Sequence, residues 1–143
     1  MMARLVVVWL HVVGAVAWVG GLLYAGHLVV PAASRGAREA LPLLQRGRVV
    51  SWAAVALVIV TGLENLRSMA VITPWLAGKL LTVIALLALA AHRDFALLPR
   101  AIQAIERGGE PGGALSGVRM LDRVVLMLAL VVLFLAVGIA RGR

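Results

Sequence analysis

The sequence predicts an all-α integral membrane protein, an up-down bundle of four transmembrane helices, and three observations predict it. Of 143 residues, 63% are hydrophobic and only 14% are charged, whereas a soluble domain averages roughly 45–50% apolar and about 25% charged. The mean hydropathy is +1.04. The charges gather in the gaps between four long apolar runs, and each crossing of a hydrocarbon layer about 30 Å thick uses about 20 residues. The length leaves room for four crossings and little else, so residues 1–143 read as a single transmembrane domain.

The first helix is expected over about residues 5–30, Leu5 to Val30, stopping at Pro31 before the polar connection Ser34-Arg35-Gly36-Ala37-Arg38-Glu39. Arg4 ahead of an apolar stretch resembles the start of a signal peptide. This run is longer than a signal core and has no small-x-small cleavage site, so it reads as a retained helix. The second helix is expected over about residues 49–66, with Glu64, Asn65 and Arg67 marking its exit. Pro74-Trp75 opens the third, expected over about 75–92, because proline suits a first helical turn and tryptophan a membrane interface. Residues 99–107 place apolar groups at helical spacing beside charges, which predicts a short interfacial helix. Gly108-Gly109-Glu110-Pro111-Gly112-Gly113 then breaks it. The fourth helix is expected over about 118–140, with Asp122 and Arg123 at its start.

Lys and Arg number 14 against 6 Asp and Glu, a formal net charge of +8. In a soluble protein such a balance suggests nucleic acid. Here the charges follow the connections, the pattern left by topology signals and anionic lipid, so no nucleic-acid partner is expected. Nine cations (Arg35, Arg38, Arg46, Arg48, Arg93, Arg100, Arg107, Arg119, Arg123) fall on one side and five (Arg4, Arg67, Lys79, Arg141, Arg143) on the other. The positive-inside rule then puts a multi-pass protein in the plasma or inner membrane with both termini outside the cytoplasm. There is no cysteine, which excludes disulfides, thiolate metal sites, c-type haem attachment and iron–sulfur clusters.

An ionisable group within hydrocarbon costs about 2.5–3.5 kcal/mol even on insertion scales, so each one needs a partner or a purpose. His11, Gly14, Trp18, Gly21 and Ala25 follow the three-then-four spacing of one helix face. That stripe suits either a cofactor slot or close helix packing with a hydrogen-bonded histidine. Lys79, one turn after Trp75, lies at about the depth of His11. It can snorkel to the head groups, pair with Glu64, or belong to a site. His27 and His92 lie near the opposite ends of the first and third helices. Two imidazoles on different helices can ligate haem b, with Arg35 and Arg93 receiving propionates, or be interfacial polar residues. His11 and His27 are about 160° apart around an ideal helix, so they do not share one site. Copper favours soft ligands, but Met1, Met2, Met69, Met120 and Met127 form no spaced cluster.

Trp9-Leu10-His11-Val12-Val13-Gly14 and Trp18-Val19-Gly20-Gly21-Leu22-Leu23-Tyr24 resemble the first helix of the CopD/HemJ-like membrane proteins. The resemblance continues through Val60-Thr61-Gly62-Leu63 and through Trp75-Leu76-Ala77-Gly78-Lys79-Leu80-Leu81 to His92, about two-thirds of the chain. In the HemJ branch it implies b-type haem and protoporphyrinogen oxidation with a first-helix His and a third-helix Lys, which match His11 and Lys79. In the CopD branch it implies copper uptake or resistance. Ala25-Gly26-His27 stands where the HemJ branch has a longer Leu-Pro-Arg-containing run.

The expectation is therefore haem b, or another porphyrin, between the first and third helices, with His11 as an axial ligand, Trp18 beside it and Lys79 as the candidate catalytic group. His27 and His92 are further cofactor candidates, His92 as a metal ligand. The role would be electron transfer or oxidation of a membrane-accessible substrate. The alternatives are copper handling through His11, His27 or His92, and a packing subunit of a larger membrane complex. Membrane lipid is the expected surrounding, and the lipid-facing perimeter can accommodate a homo-oligomer.

Overall fold

The computed structural model describes residues 2–67 and 71–141, without the side chain of Arg141; Met1, Met69 and Arg143 lie outside that description. Four helices are long and apolar enough to cross a membrane: α1 Met2–Ser34, α2 Ala40–Arg67, α3 Pro74–Glu106 and α4 Pro111–Ala140. No strand occurs among the described residues. The chain is an all-α, four-helix protein of multi-pass membrane character. α1 lies along α2 and α3 along α4, so the bundle is two hairpins packed side by side.

Local sequence explains the ends. Thr73 caps α3, its Oγ1 accepting from the Leu76 N–H at 3.2 Å, and Pro74 follows in the first turn. Glu110 caps α4 by accepting from the Gly112 and Gly113 N–H groups at 2.9 and 2.6 Å. Past the ends of α1 and α3 the backbone enters the left-handed region at Gly36 (φ +93°) and Gly108 (φ +90°), where a residue without Cβ carries no steric cost.

The helices are longer than the sequence reading places them, and in α1 and α3 proline is the reason. Pro31 and Pro99 do not stop α1 and α3. Each is absorbed by a π turn, Ala25–Val29 in α1 and Arg93–Leu97 in α3. The Val30 N–H reaches back five residues to the Ala25 carbonyl, and the Leu98 N–H likewise to Arg93. The wider turn relieves the clash between the proline ring and the carbonyl four residues earlier. It also leaves the Gly26 and Asp94 carbonyls without a ladder donor, because the next N–H position is proline in both helices. The 99–107 segment is accordingly a continuation of α3 and not a separate interfacial helix. Its apolar face, Leu98, Ala101, Ile102 and Ile105, is buried against protein. α2 likewise begins at Ala40, nine residues ahead of the expected Val49, because Ala40 and Leu44 join the same core.

Two apolar cores stack along the bundle. One, at the end carrying both prolines, joins Val29, Val30 and Ala33 to Ala40, Leu44, Leu98, Ile102, Leu115 and Val118. The other, at mid-height, joins Trp18 and Leu22 to Val55, Leu86, Ala90, Val125 and Ala129. Between them lies a charged cluster. Arg93, Asp94 and Asp122 are 6, 3 and 6% exposed. The Arg93 guanidinium donates from Nη1 to Asp94 Oδ1 and its Nε pairs with Asp122 Oδ1 across α3 and α4. Trp52 Nε1 of α2 donates to Asp94 Oδ2 at 2.8 Å, and Arg48 Nη1 donates at 3.0 Å to the Asp94 carbonyl that the π turn left free. Arg93, read from sequence as a connection charge able to receive a propionate, is an interior residue. Asp122 is buried and does not mark an interface.

Removing one member of a buried ion pair leaves the other charge uncompensated, at a cost of about 3–5 kcal/mol, whereas replacing the whole set by apolar groups of similar volume is far milder. We expect Asp122→Ala to lower unfolding stability in detergent by about 3–5 kcal/mol, and Arg93→Met with Asp94→Leu and Asp122→Leu to cost clearly less. Denaturation in mixed micelles reads both, and an Asp122→Ala protein as stable as the parent would remove the cluster from its structural role.

Candidate functional site

At the end of the bundle away from the prolines, α1 and α3 each carry one nitrogen-bearing side chain, His11 and Lys79. His11 lies twenty residues before Pro31, and Lys79 lies twenty before Pro99. Aligning the two helices on these prolines, a shift of 68 positions, carries Trp18 onto Leu86, Leu22 onto Ala90, Val30 onto Leu98 and Ala33 onto Ala101, all buried. α1 and α3 are thus equivalent helices with one buried face in common. His11 and Lys79 each stand seven residues before a core residue, two turns along that same face. Both are half-buried, and Lys79 is near enough to act on the imidazole electrostatically.

The imidazole is held by α2. His11 Nδ1 lies 3.1 Å from the Val58 carbonyl and 3.0 Å from Thr61 Oγ1. Thr61, itself buried, donates its only hydroxyl proton to the Leu57 carbonyl at 2.6 Å, so toward His11 it offers a lone pair. Both partners of Nδ1 are therefore acceptors, and Nδ1 carries the proton. In the neutral ring Nε2 is then the nitrogen with the free lone pair, which is how a ligating histidine is oriented from behind. Two glycines make room for this. A Cβ on Gly62 would lie 3.2 Å from His11 Cε1, and one on Gly14 would lie 2.9 Å from Val58 Cγ2, so α1 and α2 meet closely only because both positions lack side chains.

Lys79 has no hydrogen-bond or ionic partner among the described residues. The pairing with Glu64 that the sequence suggests does not form. Glu64 accepts from Arg67 at 3.1 Å on the exposed surface of its own helix, a spacing of three residues that satisfies it locally. Trp75, one turn before Lys79, packs instead toward α4, 6.3 Å from the Phe134 ring and against Gly138.

The other candidates lie elsewhere. Trp18 is 7% exposed within the mid-height core, one face with His11 but packed among aliphatic side chains. His27 and His92 are both exposed. His27 Nδ1 lies 3.1 Å from the Leu23 carbonyl of its own helix, and His92 has no partner among the described residues. The offset that superposes α1 on α3 places His92 opposite Tyr24, so the two imidazoles do not occupy matching positions. Among the described residues no group of three or more His, Asp or Glu is gathered as a metal site. In the sequence Thr61-Gly62 reads as simple packing, and nothing local marks it as the backing of His11; the recurrent twenty-residue interval to proline is the signal that sets His11 against Lys79.

The hydrogen bonds behind His11 have a spectroscopic consequence. Nitrogen NMR of the labelled protein at a pH where the ring is neutral should show Nδ1 protonated and Nε2 bare. Thr61→Val should leave that tautomer in place, because the Val58 carbonyl remains, whereas Gly62→Val should displace the ring and broaden or shift both resonances. An Nε2–H tautomer in the parent would contradict the arrangement.

Compared with protein-family models, with curated proteins and with solved structures, the chain finds no match.

Proposed function

We propose that this protein binds haem b within the membrane bundle, between α1 and α3, with His11 as an axial ligand through Nε2 and Lys79 beside the site. The observation that carries the reading is the pair itself. One imidazole is fixed from behind by two acceptors, and one lysine amine lacks any partner among the described residues, at equivalent heights of equivalent helices. The donor chemistry fits the group: a neutral imidazole suits haem iron, and a lysine amine supplies positive charge for a carboxylate or an electron-rich ring. Packing supports it as well. Two buried apolar cores close the bundle from the proline end to mid-height, and among the described residues no third such core continues past His11 and Lys79.

The resemblance of Trp9–Gly14, Trp18–Tyr24 and Trp75–Leu81 to the CopD/HemJ-like proteins points the same way, toward electron transfer or oxidation of a membrane-accessible substrate such as a reduced porphyrin. Haem b, when bound, supplies the one-electron couple for such chemistry. The chain's own part is to hold His11 in one tautomer, to place a cation at Lys79 and to keep both in low-dielectric surroundings, where electrostatic effects on bound groups are large. The apolar perimeter lets a lipid-dissolved substrate approach from within the bilayer.

Oxidised and dithionite-reduced absorption spectra of the detergent-purified protein, with iron measured on the same sample, test the proposal. The parent is expected to show a Soret band and a sharpened b-type α band on reduction, and His11→Ala to lose them. Lys79→Gln should keep the Soret band and lower the midpoint potential, since a cation near the iron favours the reduced state. A colourless, iron-free parent that stays empty when given haem would refute the reading.

A further inference from the structure

At the opposite end of the bundle from His11, a groove with a volume of about 270 Å³ opens between the first turns of α2 and the last turns of α3. Leu98 and Ile102, both buried, form its floor, and Gln45 and Gln103 line its walls. Arg48 and Glu106 bring opposite charges into the same space. Arg48 is pre-set there. Its Nη1 is committed to the Asp94 carbonyl at 3.0 Å, and its guanidinium carbon sits 5.5 Å from the Phe95 ring centroid. Its Nε and Nη2 donors have no partner among the described residues, nor has the Glu106 carboxylate.

We propose that this groove binds the headgroup of an aminophospholipid, with the phosphate on the free donors of Arg48 and the primary ammonium on Glu106. A guanidinium fixed at one corner and open along its remaining edge is suited to a phosphate. A carboxylate across the same groove complements the amine that a two-carbon arm carries away from that phosphate. The setting is that of a lipid. The groove lies on the flank of a membrane bundle near the polar ends of its helices, and Phe95, beneath Arg48, is 60% exposed, an apolar surface along which an acyl chain can run. The neighbouring exposed Arg46, Arg100 and Arg107 attract any anionic headgroup through their general field. Glu106 disfavours a purely anionic headgroup at this one position. A preference for phosphatidylethanolamine over phosphatidylglycerol, against the overall charge of that end, is therefore the mark of the site.

Detergent-purified protein equilibrated with equimolar phosphatidylethanolamine and phosphatidylglycerol, its retained lipid counted by native mass spectrometry, tests the assignment. The parent should retain phosphatidylethanolamine with a preference of about twofold to fivefold, the size an exposed ion pair contributes. Glu106→Gln should abolish that preference and Glu106→Lys should reverse it; both changes fall on an exposed residue at the end of α3, where folding does not depend on the side chain. Arg48→Gln should weaken retention of both lipids, and because Arg48 also supports the Asp94 carbonyl, the Glu106 variants are the decisive ones. Retention of phosphatidylglycerol equal to or above phosphatidylethanolamine in the parent, or a preference unmoved by both Glu106 changes, overturns the proposal.

Discussion

The architecture depends on one guanidinium. Arg93 is nearly sealed from solvent inside a bundle whose outer surface is lipid-facing, and a lone charge in that position would be prohibitive. It is tolerable because two carboxylates converge on it, Asp94 from its own helix and Asp122 from α4, while Trp52 and Arg48 of α2 complete the coordination of Asp94. α1 reaches the same point through Gly26, where a Cβ would lie only 3.5 Å from that of Asp122. All four helices meet at this cluster. In a membrane, where lipid solvates apolar side chains as well as protein does, such polar contacts and close-packed small residues set helix registry more firmly than burial of leucine can.

The cluster exists because α1 and α3 are irregular in the same way. A proline inside each helix forces a π turn, and in α3 that turn both frees the Asp94 carbonyl for Arg48 and carries Arg93 and Asp94 into the interior. π turns of this kind commonly accompany functional positions. Here they make the bundle asymmetric from end to end. From the proline end to mid-height the bundle is closed by two stacked apolar cores with an ion-paired cluster between them, whereas the far end holds a histidine and a lysine at matched heights with no apolar core around them among the described residues. Rigidity at one end and polar, less enclosed geometry at the other is an arrangement in which a site can accept a ligand without the helices losing registry.

Within the site, the division of labour follows chemistry. α2 decides what His11 can do. The Val58 carbonyl and the Thr61 hydroxyl, whose proton is committed to Leu57, fix the imidazole proton on Nδ1. Lys79 has no such backing among the described residues, which leaves its amine available. Gly14 and Gly62 belong to the same device, since a side chain at either would push α2 away from the ring. Their role is approach distance, and neither needs an unusual backbone angle to fulfil it.

Much of this fold was legible in composition and spacing. Four apolar runs of membrane-crossing length, with charges confined to their edges, determine four helices irrespective of tertiary contacts, because a backbone in hydrocarbon must satisfy its own hydrogen bonds. The common depth of His11 and Lys79 followed from the same counting. Helix ends did not, because Pro31 and Pro99 read as terminators and only packing shows a π turn accommodating each. Nor could the sequence distinguish an interfacial charge from an interior one: Arg93, Asp94 and Asp122 all stand at the margins of apolar runs, and a charge is buried or exposed according to whether a partner on another helix meets it. Local hydropathy is a property of a segment and survives in the sequence. The pairing of Arg93 with Asp122, of Trp52 with Asp94 and of His11 with Thr61 joins residues 29, 42 and 50 positions apart, and only the packing of the helices decides which side chains meet.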